Sequence, residues 1–383
     1  MQNKLSVKQG DFRLLRYPAR KNEPLRAWDA ADELVLDYLA DDPLLSAKKS
    51  ISILIINDQF GCLSVALNAF SPHTYTDSYI SIRACEANLA NNNLRPVKSI
   101  HSMQPLEARY DLVIIKIQKS LAQLEDQLFK LRPHLHPQSI IIGAGMVKLI
   151  HSSTLNLFSQ LIGTTHTSLA KKKARLIFSQ LDEQLVIKPN PYPQSYPLDI
   201  GGSIPTQWQI LNHANVFSRA KLDIGCRFFI EHLPQSNKPL CIIDLGCGNG
   251  VVGLVAAIKN PNASIDFYDE SFMAVASAEH NFKQLLSAQR CATFNVDDCL
   301  GSRAANSADI ILNNPPFHQQ NAIRDFIALQ MFNQSLQTLK SGGELWVVGN
   351  RHLDYMSSLK KIFGNCQKVI SNQKFFILKA IKK

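Results

Sequence analysis

Two short stretches carry residue types that could do chemistry. The first is "DIILNNPPFHQQ", residues 309–320. An apolar strand ending Ile310, Ile311, Leu312 runs directly into Asn313-Asn314-Pro315-Pro316-Phe317. Neither proline has an N–H for a sheet ladder, and both φ angles are fixed, so the strand must end in a stiff corner. Such a corner suits a flat ring bearing an amino group. The side-chain oxygen of Asn314 and the backbone carbonyl of Pro315 can accept the two amine hydrogens, which favours a pyramidal nitrogen with an available lone pair. Pro316 locks the carbonyl's direction, and Phe317 offers a face on which the ring can stack. A positioned amine can lose its proton after attack, so no strong base is required. His318 is read as an ordinary solvent-facing or satisfied histidine.

The second stretch is "IIDLGCGNGVVGL", residues 242–254, where a strand passes into a helix. Gly246, Gly248 and Gly250 have the spacing G-x-G-x-G. A dinucleotide fingerprint asks for G-x-G-x-x-G, and residue 251 is Val. The Gly-Lys-Ser/Thr of a phosphate loop is absent as well. Asp269 follows Gly250 by 19 residues, at the tip of the next strand, where this kind of sheet places an acid on ribose hydroxyls. A ribose without a basic phosphate cradle points to a nucleoside ligand, and S-adenosylmethionine fits. Its ribose would lie on Asp269, and its carboxylate over the glycine turn at the helix N-terminus. Asp244 would face its ammonium, and Asp298 its adenine amino group, with Asp297 the less favoured alternative. Taken alone, the turn also reads as a plain tight turn beside a surface acid.

The elements that must position these residues alternate between short apolar strands and amphipathic helices, the pattern of a parallel α/β sheet. Strands are expected at 241–246, 264–269, 292–297, 308–313, 343–349 and 374–380, and helices at 251–259, 271–286 and 323–340. The first half repeats the plan. "ISILIIND" answers "CIIDLG", "YDLVIIK" answers "ADIILNN", and Asp77 with Asn88 answers Asp269 with Asn281. The first copy has "NDQFGCL" for the glycine turn and "IKIQK" for the proline corner, as expected of a duplicate that lost its chemistry. A run holding five prolines and the adjacent Gly201-Gly202 separates the halves. The resulting division is a first domain at 1–182, a linker at 183–208 and a second domain at 209–383.

The bulk numbers set limits. A chain of 383 residues exceeds one ordinary core, so two domains are expected. The net charge of +10 is compatible with a polyanionic partner and equally with a solvated basic surface. Residues 1–196 carry 23 − 17 = +6 and residues 197–383 carry 18 − 14 = +4, so the copy without the motifs is the more basic. Lys171-Lys172-Lys173 with Arg175 is either a phosphate-binding cluster or a solvated strand entrance. Eight scattered cysteines with no C-x-x-C pair argue against a disulfide scaffold or a zinc site and for a reducing compartment. No apolar run is long enough to cross a bilayer, and the amino terminus lacks a signal peptide's apolar core. A cytoplasmic protein without a metal is the expectation.

"DLGCGNG" followed by "NNPPF" at the fourth strand end resembles the class I S-adenosylmethionine-dependent methyltransferases of planar nitrogens. "HANVFSRAKLDIG" (213–225), "GNRHLDY" (349–355) and the half-degenerate duplication resemble, more narrowly, the bacterial ribosomal RNA guanine-N2 methyltransferases. The likeness is greatest to the large-subunit (23S) branch. It implies two tandem Rossmann-like domains with seven-stranded, mostly parallel sheets, of which only the second binds cofactor. It also implies that the first domain supports folding and grips 23S rRNA. Deproteinised or early-assembly rRNA is the expected form, because a guanine there need not be unstacked, and a monomer is expected because the duplication gives an internal partner. Carried onto this chain, the cofactor positions are Asp244, Gly246, Gly248, Gly250, Asp269 and Asp298. The substrate positions are Asn314, Pro315, Pro316 and Phe317. Where relatives often carry an amide at the third strand end, this chain has Asp297-Asp298. A 16S rRNA guanine-N2 enzyme and a protein glutamine N5-methyltransferase, which uses a similar corner, are the alternatives.

Overall fold

The structure, a computed structural model, describes residues 3–20, 23–41, 51–200, 208–286, 289–316 and 322–383. The chain divides into two compact units, Met1–Pro191 and Tyr192–Lys383. Each unit holds one seven-stranded sheet.

In the second unit the strands lie in the order Ala292–Val296, Ser264–Asp269, Cys241–Leu245, Ala308–Asn313, Leu339–Asn350, Phe375–Ile381, Gln367–Ser371. The first five run parallel and the last two pair antiparallel. Cys241–Leu245 is central, buried from Ile242 onward and apolar but for Asp244, because helices cover both faces of a parallel sheet. One face packs Ile242, Phe267, Leu312 and Val348 with the helices Ile224–Glu231 and Val251–Lys259. The other packs Ile243, Leu245, Ile311 and Val347 with Ala322–Thr338 and Tyr355–Phe363.

The first unit repeats this order: Lys98–His101, His73–Thr76, Ile53–Ile56, Leu112–Lys116, Ile140–Met146, Ala174–Ser179, Thr165–Thr167, again with the last two antiparallel. The correspondence extends to single hydrogen bonds. Asp111 Oδ2 accepts from Ser52 N–H as Asp309 Oδ2 accepts from Cys241 N–H. Asn88 binds both backbone groups of Leu15 and the Phe60 carbonyl, as Asn281 binds both of Leu211 and the Asn249 carbonyl. Gly61 and Gly250 both take left-handed φ, 75° and 80°, where a Cβ would strike the opposing helix.

This register corrects one pairing. Ser78 and Ser271 are the matching helix N-caps, so Thr76, not Asp77, stands where Asp269 stands. The first sheet therefore lacks the strand-end acid. The proline-rich stretch 183–208 is also more than a connector. Gln194–Pro197 pairs antiparallel with Gln209–Asn212, and this hairpin belongs to the second unit. Periodicity had no means of showing it, since Tyr196 and Pro197 sit among four other prolines. Among the described residues no helix is long and apolar enough to cross a membrane.

Candidate active site

The glycine turn and the proline corner leave adjacent strands at the same end of the sheet. Leu245 and Asn313 are register partners, so Gly246 and Asn314, the next residues on each chain, lie abreast. This is the edge at which open parallel sheets bind ligands.

The turn is fixed from below. Gly246, Gly248 and Gly250 have φ of 73°, 54° and 80°. The three are not equivalent. A Cβ on Gly250 would lie 2.8 Å from Ala278 Cβ, so that glycine permits close packing of the helix Phe272–Leu285. A Cβ on Gly248 would meet nothing within 4 Å, and one on Gly246 only the Met331 methyl at 3.3 Å. Gly248 thus leaves open space at the turn, while Gly246 is closed in by Met331. Gly253, which the motif reading passed over, brings its helix onto the sheet: a Cβ there would lie 2.3 Å from the Phe267 ring. Asn249 Nδ2 donates to Tyr196 Oη (3.2 Å) and to Asn212 Oδ1 (2.9 Å), tying the turn to the hairpin.

The acids take different positions. Asp244 is buried beneath the turn, where its Oδ2 accepts from Gly253 N–H (2.7 Å). Burial pushes its carboxyl up to about 8, the Gly253 hydrogen bond opposing and the nearby Asp269 charge adding. Asp269 ends its strand half-buried. Its Oδ2 accepts from Gly248 N–H and its Oδ1 from Ser271 N–H, both at 3.0 Å. Asp297 is a structural loop residue: its Oδ2 accepts from Ser302 N–H (2.8 Å) and Ser302 Oγ–H (2.7 Å). Asp298 is half-buried; its Oδ1 accepts from Gln330 Nε2 (2.9 Å), and the neighbouring Cys299 thiol also hydrogen-bonds its carboxylate.

At the corner, the two asparagines differ. Asn313 is buried, and its Nδ2 donates to the Leu245 carbonyl (2.9 Å), joining the two strand ends. Asn314, just past the strand end, carries a buried Oδ1 with no hydrogen-bond partner among the described residues, as does Asn313 Oδ1. A buried acceptor left unpaired is costly, which suits a group meant for a ligand's N–H. Pro315 is buried and Pro316 exposed. Phe317 and His318 lie outside the described residues.

The first unit has other residues at these places. Lys116 holds the position of Asn314, and its buried ammonium binds Asp29 Oδ1 (2.9 Å) and Asp32 Oδ1 (2.6 Å). Asn57 and Gln127 exchange two hydrogen bonds beside the first copy's turn, at 3.0 and 2.8 Å. Lys171 and Lys172 pair with Asp37 and Glu33 of the helix Ala30–Asp41.

A seven-stranded sheet of this order, with the glycine turn, strand-end acid and Asn-Pro-Pro corner on one edge, defines an S-adenosylmethionine-dependent methyltransferase domain of class I. Residues 2–183 match the RLMG N-terminal domain family and residues 207–379 the methyltransferase small domain family. The chain is 45% identical to ribosomal RNA large subunit methyltransferase G of Streptomyces griseus, with 100% of both chains covered. It is 48% identical to the protein of that name in Aeromonas salmonicida, again over 100% of each. The solved T. thermophilus 16S rRNA N2 methyltransferase (RsmC), in complex with AdoMet and guanosine, shares the fold. Its TM-score is 0.77 at 19% identity, covering 99% of this chain and 97% of that one. The chain belongs to the ribosomal RNA large subunit methyltransferase G family.

Proposed function

We propose that this chain transfers a methyl group from S-adenosylmethionine to the exocyclic N2 of a guanine in 23S rRNA, and that the edge described above is where it does so. The observation that carries the reading is the buried Asn314 Oδ1, unpaired among the described residues, next to a glycine turn that has open space at Gly248. S-adenosylmethionine, when bound, supplies an electrophilic methyl on a positively charged sulfur.

The residues then divide the work. Gly246 and Gly248 admit the cofactor's methionine end against the backbone, and Asp244, protonated in the free protein, gives up its proton to face the ammonium. Asp269 has an acceptor oxygen on each side for ribose hydroxyls, and Asp298 accepts from the adenine amino group. Asn314 Oδ1 and the Pro315 carbonyl each accept one hydrogen of the guanine amine, which stops its rotation and directs its lone pair. Pro316 stiffens the bend, and Phe317 carries the guanine ring. Holding the reacting atoms in this way can remove several kcal/mol from the barrier, roughly 7 or more in the best oriented systems.

The rRNA is engaged before the large subunit is assembled, because a guanine in open RNA avoids the few kcal/mol, roughly, of unstacking. The protein acts as a monomer in the cytoplasm, its duplication already providing an internal partner. The first domain, 1–182, contributes non-specific phosphate contacts, and 209–383 is the catalytic domain. The test offers isotopically labelled methyl donor to deproteinised 23S rRNA, 16S rRNA, intact large subunits and a release factor. N2-methylguanosine should appear in deproteinised 23S rRNA. Label confined to 16S rRNA or to a glutamine would overturn the substrate, and stronger labelling of intact subunits would overturn the timing.

A further inference from the structure

The helix Ala322–Thr338, which follows the proline corner, touches the site at separate places. Gln330 Nε2 donates to Asp298 Oδ1 (2.9 Å), and one turn later Gln334 Oε1 accepts from Leu300 N–H (2.7 Å) in the same loop. Between them Met331 Sδ accepts from Asn313 Nδ2 (3.4 Å), while its methyl lies under Gly246. One helix thus fixes the acid loop, the glycine turn and the corner.

We propose that Gln330 is a positioning residue for cofactor recognition: it turns Asp298 so that the remaining carboxylate oxygen accepts the adenine amino group, and thereby sets the preference for adenine over a 6-oxo purine. The inference rests on the reading of Asp298 as the adenine contact. Its physical basis is local. Asp298 lies in the loop past Val296, and an amide donor anchored on a helix fixes its Oδ1 more firmly than the weak donor of the adjacent Cys299 thiol does. Asp298 is also under pressure to take up a proton, from burial first and from the neighbouring Asp297 charge, and the Gln330 N–H opposes both. A carboxylate that stays ionised can only accept, which suits an amino group and repels a carbonyl oxygen. Gln334, bonded to backbone in the same loop, anchors the loop but does not orient the acid.

The test is calorimetric binding of S-adenosylhomocysteine and S-inosylhomocysteine, which carries an oxygen in place of the amino group, to the full-length protein. Wild type should prefer the adenosyl compound by about tenfold or more, since a lost or mismatched hydrogen bond to a charged group is worth about that much. Gln330→Leu should weaken adenosyl binding about tenfold and leave inosyl binding unchanged, so the ratio collapses. Gln330→Glu keeps the shape and helix propensity but removes the donor, and should collapse the ratio too. Equal weakening of both ligands, or an unchanged ratio in both variants, overturns the proposal. Asp298→Ala separates the layers. If it leaves the ratio intact, the adenine contact itself is misassigned; if it alone collapses the ratio, only the role of Gln330 falls.

Discussion

At the scale of residues, adjacent side chains of one type have different work. Asn313 uses its Nδ2 to hold two strand ends together, whereas Asn314 lies past the strand end; both keep a buried Oδ1 without a partner among the described residues. Asn314→Ala should lower single-turnover methyl transfer by about a hundredfold or more, as for removal of one preorganised polar contact, while cofactor and rRNA affinities change little. Asn313→Ala should instead lower stability by about 1–3 kcal/mol, read by denaturant unfolding, because it strands the Leu245 carbonyl. Equal effects of the two changes on turnover would remove the distinction. Asp244 supplies a pH test. Its folded carboxyl sits at about 8, above the ordinary value of 3.8, so the folded state holds a proton that the unfolded chain has released. Stability from this group is therefore greatest below pH 3.8 and falls as pH rises toward 8. Melting of Asp244→Asn across that window should lose this downward component, since an amide oxygen can still accept from Gly253 N–H. An unchanged slope would show that another group titrates.

At the scale of elements, the glycine turn separates folding from binding within five residues, 246–250. Gly250→Ala places a methyl 2.8 Å from Ala278 and keeps a left-handed φ, so it should cost several kcal/mol, about 2–4, and shift the melting temperature. Gly248→Ala carries only the backbone strain, about 1 kcal/mol, but its methyl enters open space above the turn and should weaken S-adenosylhomocysteine binding far more than it lowers stability. Tight binding by Gly248→Ala would mean that the cofactor approaches elsewhere. This element was largely legible in the sequence. Glycine has no substitute where φ is positive, and Asp269 ends an apolar strand that alternation marks clearly. The matching of Asp77 to Asp269 failed because a strand end can be misread by one residue, and only the Ser78 and Ser271 caps fix the register. Gln330 and Met331 were not legible. They lie within an ordinary helical pattern, and their contacts reach across 32 and 18 residues of chain.

At the scale of the whole molecule, one fold appears twice with opposite solutions at the same strand end. In the second unit Asn314 leaves an acceptor unpaired among the described residues. In the first, Lys116 fills the equivalent position and pairs with Asp29 and Asp32, and Asn57 at the turn exchanges hydrogen bonds with Gln127. Burial alone would push the Lys116 ammonium down, but the two carboxylates hold it above its ordinary value, so the charge persists at neutral pH. Burial pushes Asp32 up to about 6, which still leaves it ionised there. Asp29 is exposed, so the sensitive pair is Lys116 with the buried Asp32, where loss of one partner leaves the other charge desolvated. Lys116→Met should therefore lower stability by about 3–5 kcal/mol, in a transition assigned to the first unit by limited proteolysis. Adding Asp29→Asn and Asp32→Leu should recover much of the loss, since an apolar or neutral replacement removes the orphaned charge. None of these variants should alter S-adenosylhomocysteine binding, because the triad lies in a different sheet from the glycine turn. If Lys116→Met left stability unchanged but weakened cofactor binding, the two copies would be coupled through that lysine, and the division into a sealed copy and an open one would have to be abandoned.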